Sequence, residues 1–451
     1  MARHATAKSV GLSGAALIAA MGGGADAVES QQYLKGEILL EGISQDNYTD
    51  GNGDDNDRSN QMWMRTRFGL KVELMQQVET QVTLVYDAEG GDAGPHANNT
   101  DSRAELEVND AYVLLKGFLN DKLFIRAGRQ PANYNLRSGH GAFLLDSRSR
   151  TSASARRPVV TGWDGLAAWW QSESWKFNLL YYIQDERNES SGLQAPTGIA
   201  SQGNDIMGVF IDWKPDTDGD ERMFITGSWT LERNPYVNDP TTGAVTGEEL
   251  QTFYLGGTFK LRHGFDLFAE GAFQDGDLGG GIGFDGFGIS GGLTWRPPGD
   301  HDSALTLQYD HLSGDDDPLD GDFSAFVNTW EGVSDTYIVE HERYGELSEL
   351  MVGNLVALKA KAEWGFFGNR FITRLVAAHY TFEEDVGGAD DFGMEFDLEL
   401  DFHYNDFTRI TAFGAAFLPD DGYEAAAASV LGTDTSDDEI LLVGLSTQVL
   451  F

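Results

Sequence analysis

Alternation of apolar and polar residues with a period of two is the feature that most constrains the fold of this chain. The clearest example is residues 392–404, in which apolar side chains such as Phe396 and Leu398 alternate with carboxylates such as Glu395 and Asp397. Successive side chains of a β-strand point to opposite faces, so this strand needs an apolar phase on one side and water on the other. The pattern predicts strands with one apolar and one solvated face.

The length of these runs indicates where the strands lie. They extend over nine to fourteen residues, whereas strands of soluble sheets have about five or six. Nine or more residues is the length of a tilted strand that crosses a membrane. Lipid offers the backbone no hydrogen-bond partners, so every strand must pair with two neighbours. Such strands must therefore close into a barrel.

The number of runs and the lengths of their connections predict the topology. About eighteen runs are present, and they start near residues 33, 61, 79, 105, 122, 164, 174, 205, 222, 250, 264, 284, 303, 351, 370, 392, 407 and 438. Every second connection is short: residues 76–77, 120–121, 171–174, 262–263, 366–369 and 405–406. Those between them are long and polar: residues 45–60, 88–104, 131–162, 186–203, 233–249, 314–349 and 418–437. The sequence therefore predicts an all-β fold, a transmembrane antiparallel β-barrel with short periplasmic turns and long extracellular loops.

The N-terminus has the pattern of a secretory signal. Arg3 and Lys8 precede an apolar stretch over residues 10–21, and Ala25-Asp26-Ala27 provides a cleavage pattern of small residues. We therefore expect residues 1–27 to be a signal peptide and residues 28–451 to form the barrel; the alternative is a disordered soluble N-terminus. No later run is apolar over the roughly eighteen residues of a membrane-spanning helix.

The last run places the chain in the bacterial outer membrane. Leu441, Val443, Leu445 and Val449 share one face, and the run ends on Phe451. A terminal aromatic residue after an alternating strand resembles the signal read by the outer-membrane insertion machinery. The expected partners are this machinery, through Phe451, together with outer-membrane lipid and lipopolysaccharide.

Composition excludes several classes of site. The chain has no Cys, which excludes disulfides, thiolate metal sites and cysteine nucleophiles. Its net charge of −41 comes from 72 Asp and Glu against 31 Lys and Arg, and we expect no nucleic-acid partner.

Arginines are concentrated in one segment of this acidic chain. Residues 126–162 contain seven of them against the single carboxylate Asp146: Arg126, Arg129, Arg137, Arg148, Arg150, Arg156 and Arg157. The loop at about 131–162 is expected to fold inward, because long loops of wide barrels narrow the pore. Guanidinium groups bind carboxylates through paired hydrogen bonds and stay charged, so a ring of them makes an anion-selective constriction.

Neighbouring strands extend this basic surface, and an alternative interpretation stays open. Arg65, Arg67, Lys71 and Lys176 fall on positions expected to face the lumen. Arg129 falls on the outward phase unless the strand breaks at Gly128. Alternatively, these arginines pair with carboxylates of the wall or with anionic lipid headgroups.

A family resemblance follows from this segment. Gly128-Arg129-Gln130 ends a strand, the loop with Arg148 and Arg150 follows, and Trp163-Asp164-Gly165 opens the next strand. This stretch resembles the one from Gly-Arg-Gln to Phe-Asp-Gly in alginate-export outer-membrane proteins. The resemblance implies an eighteen-stranded barrel with an arginine-lined lumen that passes a polyuronate, and it adds Asp164 to the expected pathway.

The remaining loops are acidic. Residues 314–349 contain many carboxylates and Arg343 as their single Lys or Arg, which indicates a solvated exterior or a surface that binds divalent cations. Asp216, Asp218 and Asp220 have spacing reminiscent of calcium loops, so Ca²⁺ is a candidate ligand there. Apart from Ca²⁺, no cofactor is expected.

The sequence thus predicts an outer-membrane pore for anionic solutes, with an acidic polysaccharide as the expected substrate. It contains neither a Gly-x-Ser-x-Gly nor a His-Glu-x-x-His motif, so an enzyme is not expected. Three alternatives remain: a general diffusion porin, an adhesin acting through its acidic loops, and an outer-membrane hydrolase using His341 or His379.

Overall fold

The computed structural model describes most of the chain in segments. The described residues are 31–47, 58–92, 104–118, 120–132, 134, 143–144, 162–184, 204–215, 222–233, 236–239, 243–246, 249–277, 283–298, 303–316, 322–326, 335–340, 353–431 and 438–451. The expected signal peptide, residues 1–27, therefore lies outside the described residues.

The described chain is almost entirely β-strand. In order, the strands are β1 (Gln31–Asp46), β2 (Ser59–Met75), β3 (Val78–Asp92), β4 (Ala104–Lys116), β5 (Leu123–Pro131), β6 (Gly162–Gln171), β7 (Trp175–Gln184), β8 (Asn204–Trp213), β9 (Met223–Arg233), β10 (Tyr236–Asp239), β11 (Gly243–Thr246), β12 (Glu249–Lys260), β13 (Phe265–Asp277), β14 (Gly283–Trp295), β15 (Ser303–Leu312), β16 (Asp322–Phe323), β17 (Leu355–Phe366), β18 (Phe371–Val386), β19 (Ala389–Asn405), β20 (Thr408–Pro419) and β21 (Ile440–Leu450). Among the described residues, a short 3-10 helix (Arg262–Gly264) joins β12 and β13, and one α-helix, α1 (Asp421–Leu431), lies between β20 and β21.

Eighteen of these strands form a closed antiparallel barrel. Each barrel strand pairs with the next along the chain, and β21 pairs with β1 from Leu450 opposite Glu37 to Leu441 opposite Asp46. The other three strands belong to connections: β10 and β11 form a separate hairpin, and β16 pairs in parallel with the first residues of β14. The predicted fold class is confirmed.

The connections alternate in length as predicted, with two differences. The connection between β13 and β14 spans residues 278–282, and β18 and β19 are joined by Gly387-Gly388, although both lie at the end with the long loops. The two glycines have φ of 64° and 90°. Positive φ at both central residues suits a two-residue hairpin turn, so no long loop is needed there.

The two faces of the barrel differ as the alternation predicted. On β19, Met394, Phe396 and Leu398 are exposed on the outside, whereas the intervening carboxylates are almost completely buried on the inside. Aromatic side chains stack on the outside near the short turns, as in the pairs Trp175–Trp213 and Phe265–Trp295. Aromatic rings at this level are typical of the interfacial girdle of membrane barrels.

Loop residues and the helix occupy part of the interior. Phe143 and Leu144 pack with inward-facing residues of β6 to β9, and Tyr423 of α1 packs against β19 and β20. The loop after β15 also enters the barrel, since Tyr337 and its neighbours are buried there. The solvated exterior expected for residues 314–349 is therefore wrong for residues 335–340, because an apolar Tyr-Ile-Val triplet favours burial.

Among the described residues, the helix is too short to cross a membrane.

Candidate functional site

Cations line one part of the inward face, along β2 to β7. They occupy strand positions that alternate with exposed outward residues such as Met62, Phe68 and Leu179. The set consists of Arg65, Arg67, Lys71, Lys116, Arg126 and Lys176. The strand phase predicted for Arg65, Arg67, Lys71 and Lys176 thus agrees with the structure.

Most of these cations pair with carboxylates of the wall. Arg65 donates from Nε and Nη2 to the two carboxylate oxygens of Asp87, at 2.7 and 3.2 Å, and its side chain is 1% exposed. Arg67 Nη1 lies 3.6 Å from Glu37. Lys71 and Lys116 share Glu79, at 2.8 and 2.6 Å from its Oε2. For these residues the geometry favours the alternative of a structural ion pair.

Arg126 and Lys176 differ from this set in their partners. The Arg126 guanidinium lies 5.4 Å from the ring centre of Tyr112 and 5.8 Å from that of Trp169. Lys176 Nζ lies 5.8 Å from the Trp169 ring centre. Within the described part of the chain, neither cation forms an ion pair with a carboxylate. Aromatic faces attract cations without cancelling their charge, so the rings leave these positive charges facing the interior. Asp212 of β8 lies opposite Lys176 in the strand register.

Gln130 holds Arg126 in place. Its side-chain oxygen accepts a hydrogen bond from Arg126 Nε, while Arg126 Nη2 donates to the carbonyl of Pro131 at 2.9 Å. The Gln130 amide donates to the carbonyls of Arg126, Gly128 and Gly165 at 3.3, 3.2 and 2.9 Å. These contacts give the Gln of the Gly-Arg-Gln motif a structural role.

The structure also explains why the motif has a glycine at position 128. Its φ is 114°, and a Cβ at this position would lie 2.3 Å from the carbonyl oxygen of Ala111 on β4. A positive φ and so close an approach of two backbones both require glycine.

Arg129 and Asp164 do not join the lumen. Arg129 Nη1 lies 3.7 Å from Asp164 Oδ2, and the two residues are opposite one another in the register of β5 and β6. They share the face of Leu166 and Ile183, which are exposed on the outside of the barrel. The expectation that these two residues line the pathway is therefore wrong. Strand alternation continues through Gly128 and turns both of them outward.

The arginine loop is described only in part. Arg137, Arg148, Arg150, Arg156 and Arg157 lie outside the described residues. Phe143 and Leu144 are buried inside the barrel and Tyr134 is partly buried there. The Tyr134 ring stacks on Phe210 at 4.2 Å, and the Phe143 ring meets the edge of Phe326 at 5.2 Å. Burial raises the pKa of the Tyr134 hydroxyl well above its usual value, so this residue stays neutral.

A second basic cluster on β17 to β20 was missed at the level of sequence. Lys359, Lys361, Arg374 and Arg409 face inward and contact carboxylates, with Arg409 Nε 2.8 Å from Asp401 Oδ1. The signal was present, because Lys359 and Lys361 are two residues apart on one strand face and alternate with small or apolar residues. The predicted acidic face of β19 is thus matched by cations of neighbouring strands.

The metal and catalytic candidates remain without structural support. Asp216, Asp218, Asp220 and His341 lie outside the described residues. His379 Nε2 lies 3.0 Å from Asp391 Oδ1, and both side chains are about half exposed. Among the residues that the structure describes, no group of three His, Asp or Glu side chains could hold a metal ion.

The closed barrel, its apolar exterior and its charged interior define an outer-membrane β-barrel pore. The model of the alginate export family matches residues 44–434, and this chain belongs to that family. The fold and family are those of an outer-membrane transporter. The family resemblance and the outer-membrane location predicted from the sequence are confirmed.

Solved porin structures share the fold. Pseudomonas aeruginosa OccK9 (OpdG) is 12% identical with a TM-score of 0.59, over 93% of this chain and 99% of that one. Acinetobacter baumannii OccAB4 is 10% identical with a TM-score of 0.58, over the same shares. P. aeruginosa OpdK, solved with vanillate, is 11% identical with a TM-score of 0.57, over 93% of this chain and 98% of that one. No curated protein sequence matches the chain.

Proposed function

We propose that this pore passes anionic solutes, with an acidic polysaccharide as its substrate, through a constriction lined with arginines. The observation that carries the proposal is the state of Arg126 and Lys176. Both point into the barrel, and their charged groups lie against aromatic rings, with no ion pair to a carboxylate among the described residues. A cation whose charge is not neutralised lowers the free energy of a passing carboxylate.

The position of the arginine loop supports the same proposal. The loop starts directly after β5, which carries Arg126, and Phe143 and Leu144 from its middle are packed inside the barrel. Arg148 and Arg150 follow Leu144 by a few residues. In this proposal they bind carboxylates of the polymer, together with Arg137, Arg156 and Arg157, and the polymer moves by exchanging one cation for the next.

A second candidate is a general diffusion porin for small solutes. The specific observation in its favour is the number of neutralised cations, since Arg65, Arg67, Lys71 and Lys116 are all paired with wall carboxylates. OpdK, which has the same fold, was solved with vanillate, a small carboxylate. Block by neutral and acidic saccharides of equal length distinguishes the two candidates, because a general porin does not discriminate between them.

The test replaces the two cations held by aromatic rings. The Arg126→Gln/Lys176→Gln variant should shift the reversal potential in a salt gradient toward cations. It should also weaken block by oligouronates about tenfold or more, because each charge in a partly desolvated site is worth on the order of 1 kcal/mol. The matched control is Lys122→Gln/Arg262→Gln, which removes two exposed charges at the short-turn end; Lys122 also lies over a tryptophan, Trp170, at 5.9 Å. Equal effects of the two variants on selectivity would contradict the proposal.

A further inference from the structure

Residues 335–340, which we call the inner segment, fill one side of the barrel interior. Thr336, Tyr337, Ile338 and Val339 are at most 2% exposed. The Tyr337 ring stacks on Phe413 of β20 at 4.8 Å between ring centres, and the Thr336 hydroxyl lies 2.9 Å from the Tyr380 hydroxyl of β18. The centre of the inner segment is therefore packed against β18 to β20.

The inner segment binds a carboxylate of the wall through its backbone. The amides of Tyr337, Ile338 and Val339 donate to the Glu395 carboxylate at 2.9, 2.7 and 2.9 Å. The Tyr337 hydroxyl donates to Glu399 on the same strand. Three consecutive amides around one carboxylate form a strong anion contact, so Glu395 fixes the position of the segment.

The two ends of the inner segment place carboxylates on a lysine pair of β17. Lys359 Nζ lies 3.3 Å from Asp335 Oδ2 and also contacts Glu340. Lys361 Nζ lies 2.7 Å from Asp335 Oδ1. The wall supplies the remaining partners from β15: Asp310 at 2.7 Å from Lys359, and the Gln308 side-chain oxygen at 2.7 Å from Lys361.

The balance of charge shows what the inner segment contributes. The wall offers one carboxylate and one neutral amide to the two lysines, and the other two carboxylates come from the loop. Without the segment, these contacts of the pair would leave one positive charge uncompensated, facing the interior. A polyuronate presents carboxylates in series and could supply the same two partners.

We propose that Lys359 and Lys361 are an anion-binding site of the transport pathway, and that Asp335 and Glu340 occupy it until substrate carboxylates replace them. This inference rests on the proposed function. Isolated small anions lack the linked carboxylates needed to compete with a segment held by Glu395 and by its apolar contacts. A polymer gains from binding both lysines at once, so it displaces the segment where a monomer does not.

The first test is a double-mutant cycle in which charged side chains are replaced by neutral ones of similar shape. In Asp335→Asn/Glu340→Gln the lysines lose both carboxylates of the inner segment and keep Asp310 and Gln308. Block by oligouronates should then become about tenfold stronger, a difference of about 1.4 kcal/mol. Adding Lys359→Gln/Lys361→Gln should abolish this gain, because the freed lysines are its cause. If the gain persists without the lysines, a general change of lumen charge explains it and the proposal is overturned.

The second test follows the inner segment in a protein with its charges unchanged. The chain has no Cys, so Val339→Cys introduces a single thiol, buried in the segment. Oligouronates should increase the fraction of molecules whose inner segment is displaced, and so accelerate the reaction of this thiol with a charged methanethiosulfonate about fivefold. Neutral oligosaccharides of equal length should leave the rate unchanged. Leu180→Cys, buried in the wall of β7, is the control for general opening and should react at an unchanged rate.

The outcomes separate this inference from the function on which it rests. If oligouronates block the current but leave the Val339→Cys rate unchanged, the inner segment is a fixed part of the wall and this inference is overturned, while the anion pathway stands. If they neither block the current nor change the rate, the proposed function and this inference both fail.

Discussion

At the scale of single residues, the partner of a cation decides whether its charge is available to a solute. Arg65 has a carboxylate on its guanidinium, and the pair is close to neutral. Arg126 and Lys176 have aromatic faces instead, which hold the side chain and leave the charge in place. Counts of Lys and Arg along a sequence cannot separate these two cases, because the partners come from neighbouring strands.

A substitution of Arg65 tests whether a cation paired with a wall carboxylate stabilises the barrel. Arg65→Met should lower the free energy of unfolding by about 2–3 kcal/mol, because it leaves the partly buried Asp87 without its partner. Urea unfolding in lipid vesicles, followed by tryptophan fluorescence, measures this value. The exposed Arg262→Met is the control and should change stability by less than about 0.5 kcal/mol. A stable Arg65→Met protein would show that the pair contributes little.

Gln130 tests how the family motif positions Arg126. Gln130→Leu keeps the volume but removes the amide shared by three carbonyls and the acceptor for Arg126. The free energy of unfolding should fall by about 1–3 kcal/mol, and the reversal potential should shift in the direction seen for Arg126→Gln. A loss of stability without any change of selectivity would show that Arg126 keeps its position without Gln130.

At the scale of elements, the strands were predictable and parts of the loops were not. Eighteen strand starts follow from the period of two because lipid and lumen impose opposite preferences on alternate residues. The inner segment has no such pattern, and its apolar triplet lies in a loop whose carboxylates indicated the exterior. Its position depends on contacts with Glu395, Lys359 and Lys361, which are distant in sequence.

The closing seam gives a prediction for one element, β21. The Phe451 backbone exchanges hydrogen bonds with Gly36, at 2.7 and 3.0 Å, while its ring is largely exposed. Phe451→Ala and Phe451→Tyr both keep the backbone bonds, so they differ only in the aromatic ring. If the ring is read by the insertion machinery, the Ala variant should assemble several-fold less well and the Tyr variant normally. The heat-modifiable fraction of the protein in outer membranes measures assembly. Equal assembly of the two variants would contradict recognition of the ring by the insertion machinery.

At the scale of the whole molecule, a strongly acidic chain pairs a group of its inward carboxylates with cations and backbone amides. The acidic face of β19 is bound by the inner segment, Arg374 and Arg409. Two cations on the opposite part of the wall, Arg126 and Lys176, lie against aromatic rings, and the arginine loop begins beside them. The composition could exclude cysteine chemistry, because the chain has no Cys, but it could not show which charges cancel.

The central claim is that arginines of the loop after β5 select anionic polymer, and one measurement tests it most directly. Planar bilayers with the purified protein give the block constant of an oligouronate series. We compare the wild type with Arg148→Gln/Arg150→Gln/Arg156→Gln/Arg157→Gln. The control removes four exposed charges at the short-turn end: Lys122→Gln/Lys260→Gln/Arg262→Gln/Arg370→Gln.

The account predicts that the loop variant loses oligouronate block by about tenfold or more and shifts its reversal potential toward cations, since each charge removed near the constriction is worth on the order of 1 kcal/mol. The control should change little, because exposed charges are screened within about 8 Å at physiological salt. A loop variant that keeps both its anion preference and its block by oligouronates would contradict the account, and the protein would then be a general porin.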